Sequence, residues 1–368
     1  MKTTVKLKDI ASYSKGSQIN GNNLIEDGAY EYLNGGINPS GKWNEYNVDG
    51  NTITISEGGN SCGYVNYMIN PFWCGAHCYY LYNLKCSSKY LYYALKGSQS
   101  SIMKLRSGAC MPNIKKKDLG EFILSIDLDK KEQDKTIKIF NKLQSIITHL
   151  RIQLEKLDLL VKARFVEMFG DVINNTKRWK IYLFSEITIS RLGKMLDKKS
   201  QTGKSKLPYL ANFNVQWFQF KLDNLNMMDF NEKEQIEFSL EDDDLLVCEG
   251  GEIGRCAIWH NEITPCYFQK ALHRVRCNKS IIIPIYLAWW FKFNCDNNGF
   301  SEIEGAKATI AHLPGAKLKK LPIAVPPLTL QNQFADFVKQ IDKSKSILQQ
   351  ELDKAQMLFD SLMQEYFG

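Results

Sequence analysis

An internal repeat is the feature that most limits how this chain can fold. The run FVEMFGD at residues 165–171 closes a long amphipathic stretch in the middle of the chain, and MQEYFG at 363–368 closes another. Further pairs follow in the same order: SKG with RLG, YLN with YLA, EGG with a second EGG, Pro71 with Pro265, and YLYYALK with YLAWWFK. Because the pairs are collinear, the sequence predicts two copies of one unit, with small loop insertions in the second.

Each copy combines a strand-rich part with a long helix. Strand-type runs include NTITISEGG, CYYLYNL, DLLVCEGG, CAIWH and HRVRC. Apolar residues then recur every three or four positions over about ten turns, which favours a coiled coil over a helix of ordinary length. The residues expected in its core are Ile147, Leu150, Leu154, Leu157, Val161, Leu348, Leu352, Phe359 and Leu362.

We therefore predict an α+β fold with a pseudo-two-fold repeat. Two strand-rich globular domains, residues 1–126 and 177–326, are expected to be separated by two long α-helices, residues 127–170 and 327–368, that pair as an antiparallel coiled coil. The prolines at 326 and 327 are expected to end the regular structure that precedes the second helix. Gly170 and Gly368 suit helix C-termini. The alternative is two independent helices, each docked on its own domain.

Composition sets the broad class. A length of 368 residues suggests two domains. Ten cysteines follow no regular framework, which predicts reduced thiols and a cytoplasmic location. The sequence contains no run of about 18 apolar residues and no secretion signal, so no membrane association is expected. The formal charge of +7 permits a polyanionic partner without requiring one.

Short matches to catalytic and metal motifs are incomplete. The run NPFW lacks the second proline of a base-gripping methyltransferase loop, and Lys198 stands where a phosphate-binding loop ending in TGKS needs its first glycine. CGAHC has no matching ligand pair for zinc, so we expect a packed strand there. EDDDLL lacks a partnered acidic-x-Lys element and is interpreted as an acidic turn. We predict no catalytic residue, no metal site, and a chain that is not an enzyme.

Polar and basic side chains beside glycine-rich turns remain as candidates for DNA contacts. Lysine and arginine bind phosphates, while asparagine, glutamine and arginine read base edges. In the first copy these candidates are Lys15, Gln18, Asn34, Asn60, Lys104, Arg106, Asn113 and Lys115. In the second copy they are Arg191, Lys194, Lys204, Asn212, Arg255, Lys307, Thr309 and His312. Solvated loops are the alternative for each of them.

The order and repetition of these motifs resemble the specificity subunit of Type I restriction–modification systems. The resemblance covers essentially the whole chain and is carried by the domain openings VKLKDIASYSKG and WKIYLFSEITISRLG, the EGG turns, the domain close GAKATIAHLPGAKLKKLPIAVPPLTLQNQF, and the helix ending LLVKARFVEMFGD. The first copy departs from the pattern, because GEFILSIDLDKKEQ lacks the Pro-Pro-Leu before its helix.

The resemblance implies a non-catalytic subunit with two target recognition domains, each reading half of a bipartite site in double-stranded DNA. The helices would set the gap between the half-sites and bind two modification (methyltransferase) subunits, which carry S-adenosylmethionine and methylate adenine. Restriction (ATP-dependent translocase/endonuclease) subunits can join such complexes. This chain itself would bind no cofactor. The alternative from another class is a coiled-coil adaptor whose two domains bind protein partners without DNA readout.

Overall fold

The computed structural model describes residues 2–108, 112–196, 203–301 and 312–368. The chain forms two compact units, Met1–Gln153 with Leu348–Gly368, and Leu154–Ile347. Each unit therefore contains one strand-rich domain and part of both long helices. In the described ranges we find no helix with the length and apolar character needed to cross a membrane.

The first copy contains three antiparallel or mixed sheets. Its strands are β1 (Lys2–Lys6), β2 (Ser12–Lys15), β3 (Tyr30–Leu33), β4 (Gly41–Trp43), β5 (Thr52–Ser56), β6 (Val65–Met68), β7 (Phe72–Cys74), β8 (Cys78–Tyr82) and β9 (Ile123–Asp127). Its helices are α1 (Leu7–Ile10), α2 (Ser88–Gly97), α3 (Gln99–Met103), α4 (Lys116–Gly120) and the 40-residue α5 (Lys130–Phe169). The sheets have the strand orders β2-β8-β5-β6, β4-β3-β7 and β1-β9. Among the described strands of this copy, only β3 and β7 pair in parallel.

The second copy repeats this arrangement. Its strands are β10 (Lys180–Leu183), β11 (Thr188–Leu192), β12 (Lys206–Leu210), β13 (Val215–Gln216), β14 (Gln219–Phe220), β15 (Asn226–Asp229), β16 (Leu245–Cys248), β17 (Cys256–Ile258), β18 (Tyr267–Phe268), β19 (Leu272–Cys277) and β20 (Pro322–Val325). Its helices are α6 (Phe184–Ile187), α7 (Glu232–Phe238), α8 (Pro284–Asp296), α9 (Gly315–Leu318) and the 40-residue α10 (Leu328–Phe367).

The two topologies match strand for strand. The strand orders are the same as in the first copy: β11-β19-β16-β17, β15-β12-β18 and β10-β20. Strands β12 and β18 pair in parallel, as β3 and β7 do. The hairpin β13–β14 has no counterpart among the described strands of the first copy, in agreement with the loop insertions expected in the second copy. The predicted α+β class and the predicted repeat are confirmed.

A buried glutamine fixes the start of each long helix to its own domain. The Gln133 side chain accepts a hydrogen bond from Ser87 N at 2.9 Å and donates to Asp127 O at 2.9 Å. In the second copy, Gln331 accepts from Ile283 N at 3.0 Å and donates to Ile281 O and Pro326 O at 3.0 and 2.8 Å. These amides satisfy backbone groups where each helix begins, so they determine where it leaves the domain.

Aromatic rings join the helices to each other and to the domains within each unit. In the first unit, Phe140 of α5 lies 5.0 Å from the Tyr93 ring of α2 and 5.8 Å from the Phe367 ring of α10. In the second, Phe165 of α5 lies 5.9 Å from Tyr286 of α8 and 5.5 Å from Phe334 of α10. Each helix thus contacts both its domain and the other helix.

The helices run antiparallel within the second unit. Phe165 meets Phe334 near the start of α10, whereas the earlier Asp158 carboxylate pairs with the later Lys345 ammonium at 2.6 Å. The residues predicted for the coiled-coil core are all buried or half-buried, with Ile147 and Val161 the most deeply buried. The remaining ones are Leu150, Leu154, Leu157, Leu348, Leu352, Phe359 and Leu362.

Removing the Gln331 amide should destabilise the second unit. Gln331→Leu keeps a similar volume but leaves the Ile283 N–H and the Pro326 carbonyl without their partner, which should lower the free energy of unfolding by about 2 kcal/mol. Urea unfolding, followed by tryptophan fluorescence, measures the change. The matched control is Gln333→Leu, because Gln333 lies two residues later and is exposed. Equal losses for both variants would contradict this role.

Candidate nucleic-acid interface

The first Glu-Gly-Gly turn is paired with the segment that closes its domain. It follows β5, and Glu57 O accepts a hydrogen bond from Ile114 N at 2.8 Å. Gly58 and Asn113 form an antiparallel bridge at the same place. Gly59 has a φ of +75°, a conformation that favours glycine. The predicted loops around residues 57–60 and 113–115, distant in sequence, therefore form one surface.

The second Glu-Gly-Gly turn is built in the same way. It follows β16, and Glu249 O accepts from Leu313 N at 2.6 Å. Gly250 and His312 form the antiparallel bridge. His312 thus occupies the place of Asn113, and the two domains present different side chains on the same backbone frame.

A buried side chain fixes the closing segment in each domain. The Tyr79 hydroxyl donates to Ile114 O at 3.0 Å, and the His273 Nε2 lies 3.0 Å from Leu313 O. Tyr79 and His273 lie on β8 and β19, which correspond in the repeat. Burial raises the pKa of the Tyr79 phenol to about 12 and lowers the pKa of the His273 imidazole. Both groups are therefore neutral donors near pH 7, and each satisfies a buried carbonyl.

An acidic residue organises the polar groups of the first domain. The Glu57 carboxylate lies 2.7 Å from Lys15 Nζ and 3.3 Å from His77 Nδ1. The backbone N–H of His77 donates to Asn34 Oδ1 at 3.3 Å. Lys15 and Asn34, predicted separately, thus belong to one network, while Gln18 and Asn60 are exposed on neighbouring turns.

The segment CGAHC is not a single packed strand, as the sequence suggested. Cys74 ends β7, residues 75–77 form a turn, and Cys78 begins β8. The strand prediction is wrong because β7 and β8 belong to different sheets and the chain must change direction between them. Gly75 suits this turn, since a Cβ there would lie 2.1 Å from Asn34 Oδ1. The turn places His77 beside Glu57.

Three exposed basic residues of the first domain form no side-chain hydrogen bond or ion pair with another described residue: Lys104, Arg106 and Lys115. The Ser107–Asn113 bridge brings the segments that carry Arg106 and Lys115 together. Their charges stand at the edge of the surface formed by the Glu-Gly-Gly turn. Such groups can neutralise phosphates without breaking an existing ion pair.

In the second domain, two of the candidate DNA-contact residues form hydrogen bonds within the protein. Asn212 Nδ2 donates to Gly250 O at 2.8 Å, and Arg255 donates to both Asn212 O and Asn212 Oδ1 at 3.1 Å. These two residues therefore connect the loop after β12 to the second Glu-Gly-Gly turn. His312 is exposed beside them. Lys204 is also exposed, whereas Lys307 and Thr309 lie outside the described residues.

Two predicted basic residues are engaged by acidic groups of α7. Lys194 is only 7% exposed, and its ammonium lies 2.6 Å from Glu234 and 2.6 Å from Asp229 O. This burial favours a structural role for Lys194 and keeps its charge from the surface. Arg191 is exposed and forms an ion pair with Glu237. Both residues line an open pocket that also includes Lys270.

One group of potential metal ligands occurs among the described residues. Ligand atoms of Asp242, Asp243 and His260 lie within 4.8 Å of one another on the surface. The Asp243 carboxylate already pairs with Lys279 Nζ at 2.5 Å. The cluster belongs to the acidic turn expected from EDDDLL, and nothing further in its surroundings indicates an ion.

The sequence analysis did not identify the residues that hold other parts of the surface in position. Glu57, Tyr79 and His273 were not predicted, although the EGG repeat marked the right turn. Their polar contacts join segments that are far apart in sequence, and the spacing of apolar residues along the chain does not reveal such contacts. The exposed Phe213 was also missed, because an aromatic residue in a loop carries no motif.

Acidification should weaken the second unit through His273. The folded state holds its imidazole neutral, with a lowered pKa, while the unfolded chain takes up a proton below about pH 6.5. Unfolding is therefore favoured as the pH falls, by at most about 1.4 kcal/mol per pH unit from this one group. Unfolding midpoints between pH 7.5 and 5.5 measure the slope.

His273→Gln is the control for this experiment. Glutamine keeps a donor for Leu313 O but cannot titrate, so the variant should show a shallower loss of stability with acid. Identical slopes for the two proteins would show that other groups cause the pH dependence.

Comparison with known proteins places this fold in a family. The family model "Type I restriction modification DNA specificity domain" matches residues 2–156 and 176–357. A type I specificity subunit of Mycoplasma pneumoniae is 41% identical over 135 residues, which are 36% of this chain and 35% of that protein. One of Mycoplasma genitalium is 30% identical over 213 residues, 53% of this chain and 54% of that protein. The alignments therefore span about a third to a half of these relatives.

A solved structure agrees with the architecture. The crystal structure of a Type I restriction–modification S subunit from M. genitalium has a TM-score of 0.64 at 21% identity, covering 100% of this chain and 96% of that one. This likeness supports the fold alone. The expectation that the chain is not an enzyme is confirmed by the family, since specificity subunits are the non-catalytic component. Because the family model matches most of the sequence in two successive copies, this chain belongs to the Type I restriction–modification DNA specificity family.

Proposed function

We propose that this chain reads a bipartite target in double-stranded DNA, one half-site with each domain. The observation that carries the proposal is the repeated frame, in which each Glu-Gly-Gly turn is bridged to a closing segment and fixed by a buried donor. The frame is the same in both domains, but the side chains on it differ. Asn113 in the first corresponds to His312 in the second. Different side chains on the same backbone arrangement would recognise two different half-sites.

Exposed basic residues would supply the sequence-independent part of binding. Lys104, Arg106 and Lys115 are exposed in the first domain, and none of them forms an ion pair with another described residue. Contacts to phosphates fix the register of a protein on the duplex but carry no sequence information. The net charge of +7 is modest, so we expect appreciable affinity only when partner subunits also hold the DNA.

The long helices would set the gap between the half-sites. A helix of 40 residues is about 60 Å long, and one turn of B-DNA spans about 34 Å. A paired, rigid spacer of this kind would fix the number of base pairs between the two recognised sequences. Its length would therefore belong to the specificity as much as the loops do.

The helices would also bind the catalytic partners. Several of their large apolar side chains remain exposed: Ile139, Ile146, Ile152, Met357 and Leu358 in the first unit, and Leu159, Leu160, Val166 and Ile347 in the second. Apolar groups of this kind suit protein contacts. We propose that two modification subunits, carrying S-adenosylmethionine, bind there and methylate adenine, and that restriction subunits can join. Such a complex would act on cytoplasmic DNA.

Neutralising two basic residues should lower affinity without changing specificity. In the complex with modification subunits, the double variant Arg106→Gln and Lys115→Gln should bind cognate and unrelated DNA more weakly by similar factors. Because each lost phosphate contact removes about 0.9 from the slope of log K against log salt, the slope should fall by about 1 to 2. Titrations at several salt concentrations measure it.

Lys279→Gln is the matched control, since Lys279 is an exposed domain residue paired with Asp243 at 2.5 Å and lies beyond the end of β19 that is distant from the Glu-Gly-Gly turn. It should leave the slope unchanged. An unchanged slope in the double variant would place the phosphate contacts elsewhere. Binding with no salt dependence in the wild-type complex would favour the adaptor function instead.

A further inference from the structure

Phe213 is an exposed aromatic residue on a short 3-10 turn. The turn, Asn212–Asn214, follows β12 and lies beside the second Glu-Gly-Gly turn. The Phe213 side chain is 53% exposed. Among the described residues, no aromatic ring packs on it, and it belongs to none of the apolar clusters of its unit. The ring therefore contributes little to folding.

The turn that carries this ring is nevertheless held rigidly. Asn212 is fixed by Gly250 O and by the Arg255 guanidinium, as described above. Asn214 is buried, where it accepts from Ala211 N at 2.8 Å and donates to Lys221 O at 2.8 Å. Both neighbours of Phe213 thus turn inward, and only Phe213 turns outward.

The Phe213 backbone is held as well. Gln216 Nε2 donates to Phe213 O at 2.9 Å, which ties the turn to the hairpin β13–β14. An apolar side chain on a fixed backbone loses little conformational entropy when it meets a partner. This arrangement suits a preformed apolar contact better than a flexible loop would.

The first domain offers a counterpart in the corresponding connection. Ile37 lies between β3 and β4 and is 51% exposed. Asn66 Nδ2 donates to Ile37 O at 3.0 Å, and Ser61 Oγ donates to Gly35 O at 2.6 Å. Each domain thus presents an exposed apolar side chain near its Glu-Gly-Gly turn, on a backbone that side-chain hydrogen bonds hold in place.

We propose that Phe213 makes an apolar contact with a base in the half-site read by the second domain, and that Ile37 does so in the other half-site. The inference rests on the proposed function. Two sources of this contact share the same chemistry: the C5-methyl group of a thymine, or the face of a base at a step opened by the side chain. In either case Phe213 determines specificity at one position rather than general affinity.

The test uses the complex of the full chain with its modification subunits. Phe213→Ala should weaken binding to the cognate duplex at least ten-fold, leave binding to unrelated DNA unchanged, and relax the preference at one position of one half-site. Ile37→Ala should relax a position in the other half-site only. The control is Ile236→Ala, which removes an apolar side chain that is 82% exposed on α7, and it should change neither.

Two modified duplexes distinguish the sources. If the contact is to a methyl group, replacing one thymine by uracil should reproduce the loss with the wild-type chain and add nothing with Phe213→Ala. If the side chain enters the stack, 2-aminopurine at one step should brighten with the wild-type chain and stay dim with the variant. Thermal unfolding is followed for each variant, and Phe213→Ser, which also removes the apolar contact, replaces the alanine variant if that one is destabilised.

Normal affinity and an unchanged motif in a stably folded Phe213 variant would overturn the inference. Equal losses on cognate and unrelated DNA would also overturn it, since the contact would then carry no sequence preference. A loss of affinity to which neither modified duplex responds has the same consequence. Failure of the wild-type complex to prefer any DNA sequence would instead overturn the proposed function, so the two failures are distinguishable.

Discussion

One buried carbonyl in each domain organises the candidate interface. The segment that closes each domain passes beneath the Glu-Gly-Gly turn, and its buried residue, Ile114 or Leu313, would leave a carbonyl unsatisfied there. A buried polar group without a partner costs about 1–3 kcal/mol. Tyr79 meets this need in the first domain and His273 in the second. The surface loops are consequently placed by an interaction beneath them, and their own side chains are left for recognition.

This arrangement separates stability from specificity. The backbone bridges and the buried donor hold the frame, while neighbouring positions can vary without loss of the fold. The two copies illustrate the point, because Lys15 on β2 pairs across to Tyr79, whereas Leu192 on β11 pairs across to His273. The first frame therefore carries an ion pair with Glu57, and the second does not have a lysine at that place. Under the proposed function, such a duplicated chain could change one half-site without disturbing the other.

The sequence was sufficient for those features that repeat or follow a period. The collinear motifs predicted two copies, and the apolar spacing predicted helices close to those observed, Lys130–Phe169 and Leu328–Phe367. Gln133 and Gln331 lie in the sequence motifs at the starts of the two helices. Their hydrogen bonds to buried backbone groups were not predicted. The division into segments at residues 126, 170, 177 and 326 stays a prediction, and the compact units cut across it because each contains part of both helices.

The rest depended on contacts between distant segments. Lys194 could not be distinguished from a surface lysine without knowing that α7 brings Glu234 to it. The turn in CGAHC arises because β7 and β8 belong to different sheets. The alternation of residues within this short segment does not indicate that change of sheet. The placement of Phe213 depends on Arg255 and Gly250, each far along the chain. Local patterns therefore gave the framework, and tertiary hydrogen bonds decided which side chains reach the surface.

The most direct test of the account is a genome-wide map of methylated adenine in the source organism, with the gene intact, deleted, and restored with one domain exchanged for that of a relative. The account predicts that deletion removes one bipartite motif and no other. The exchanged chain should restore a motif in which one half-site is new while the other half-site and the gap are unchanged. Persistence of every motif after deletion, in cells shown to express the intact gene, would contradict the central claim that this chain selects the methylated sequence.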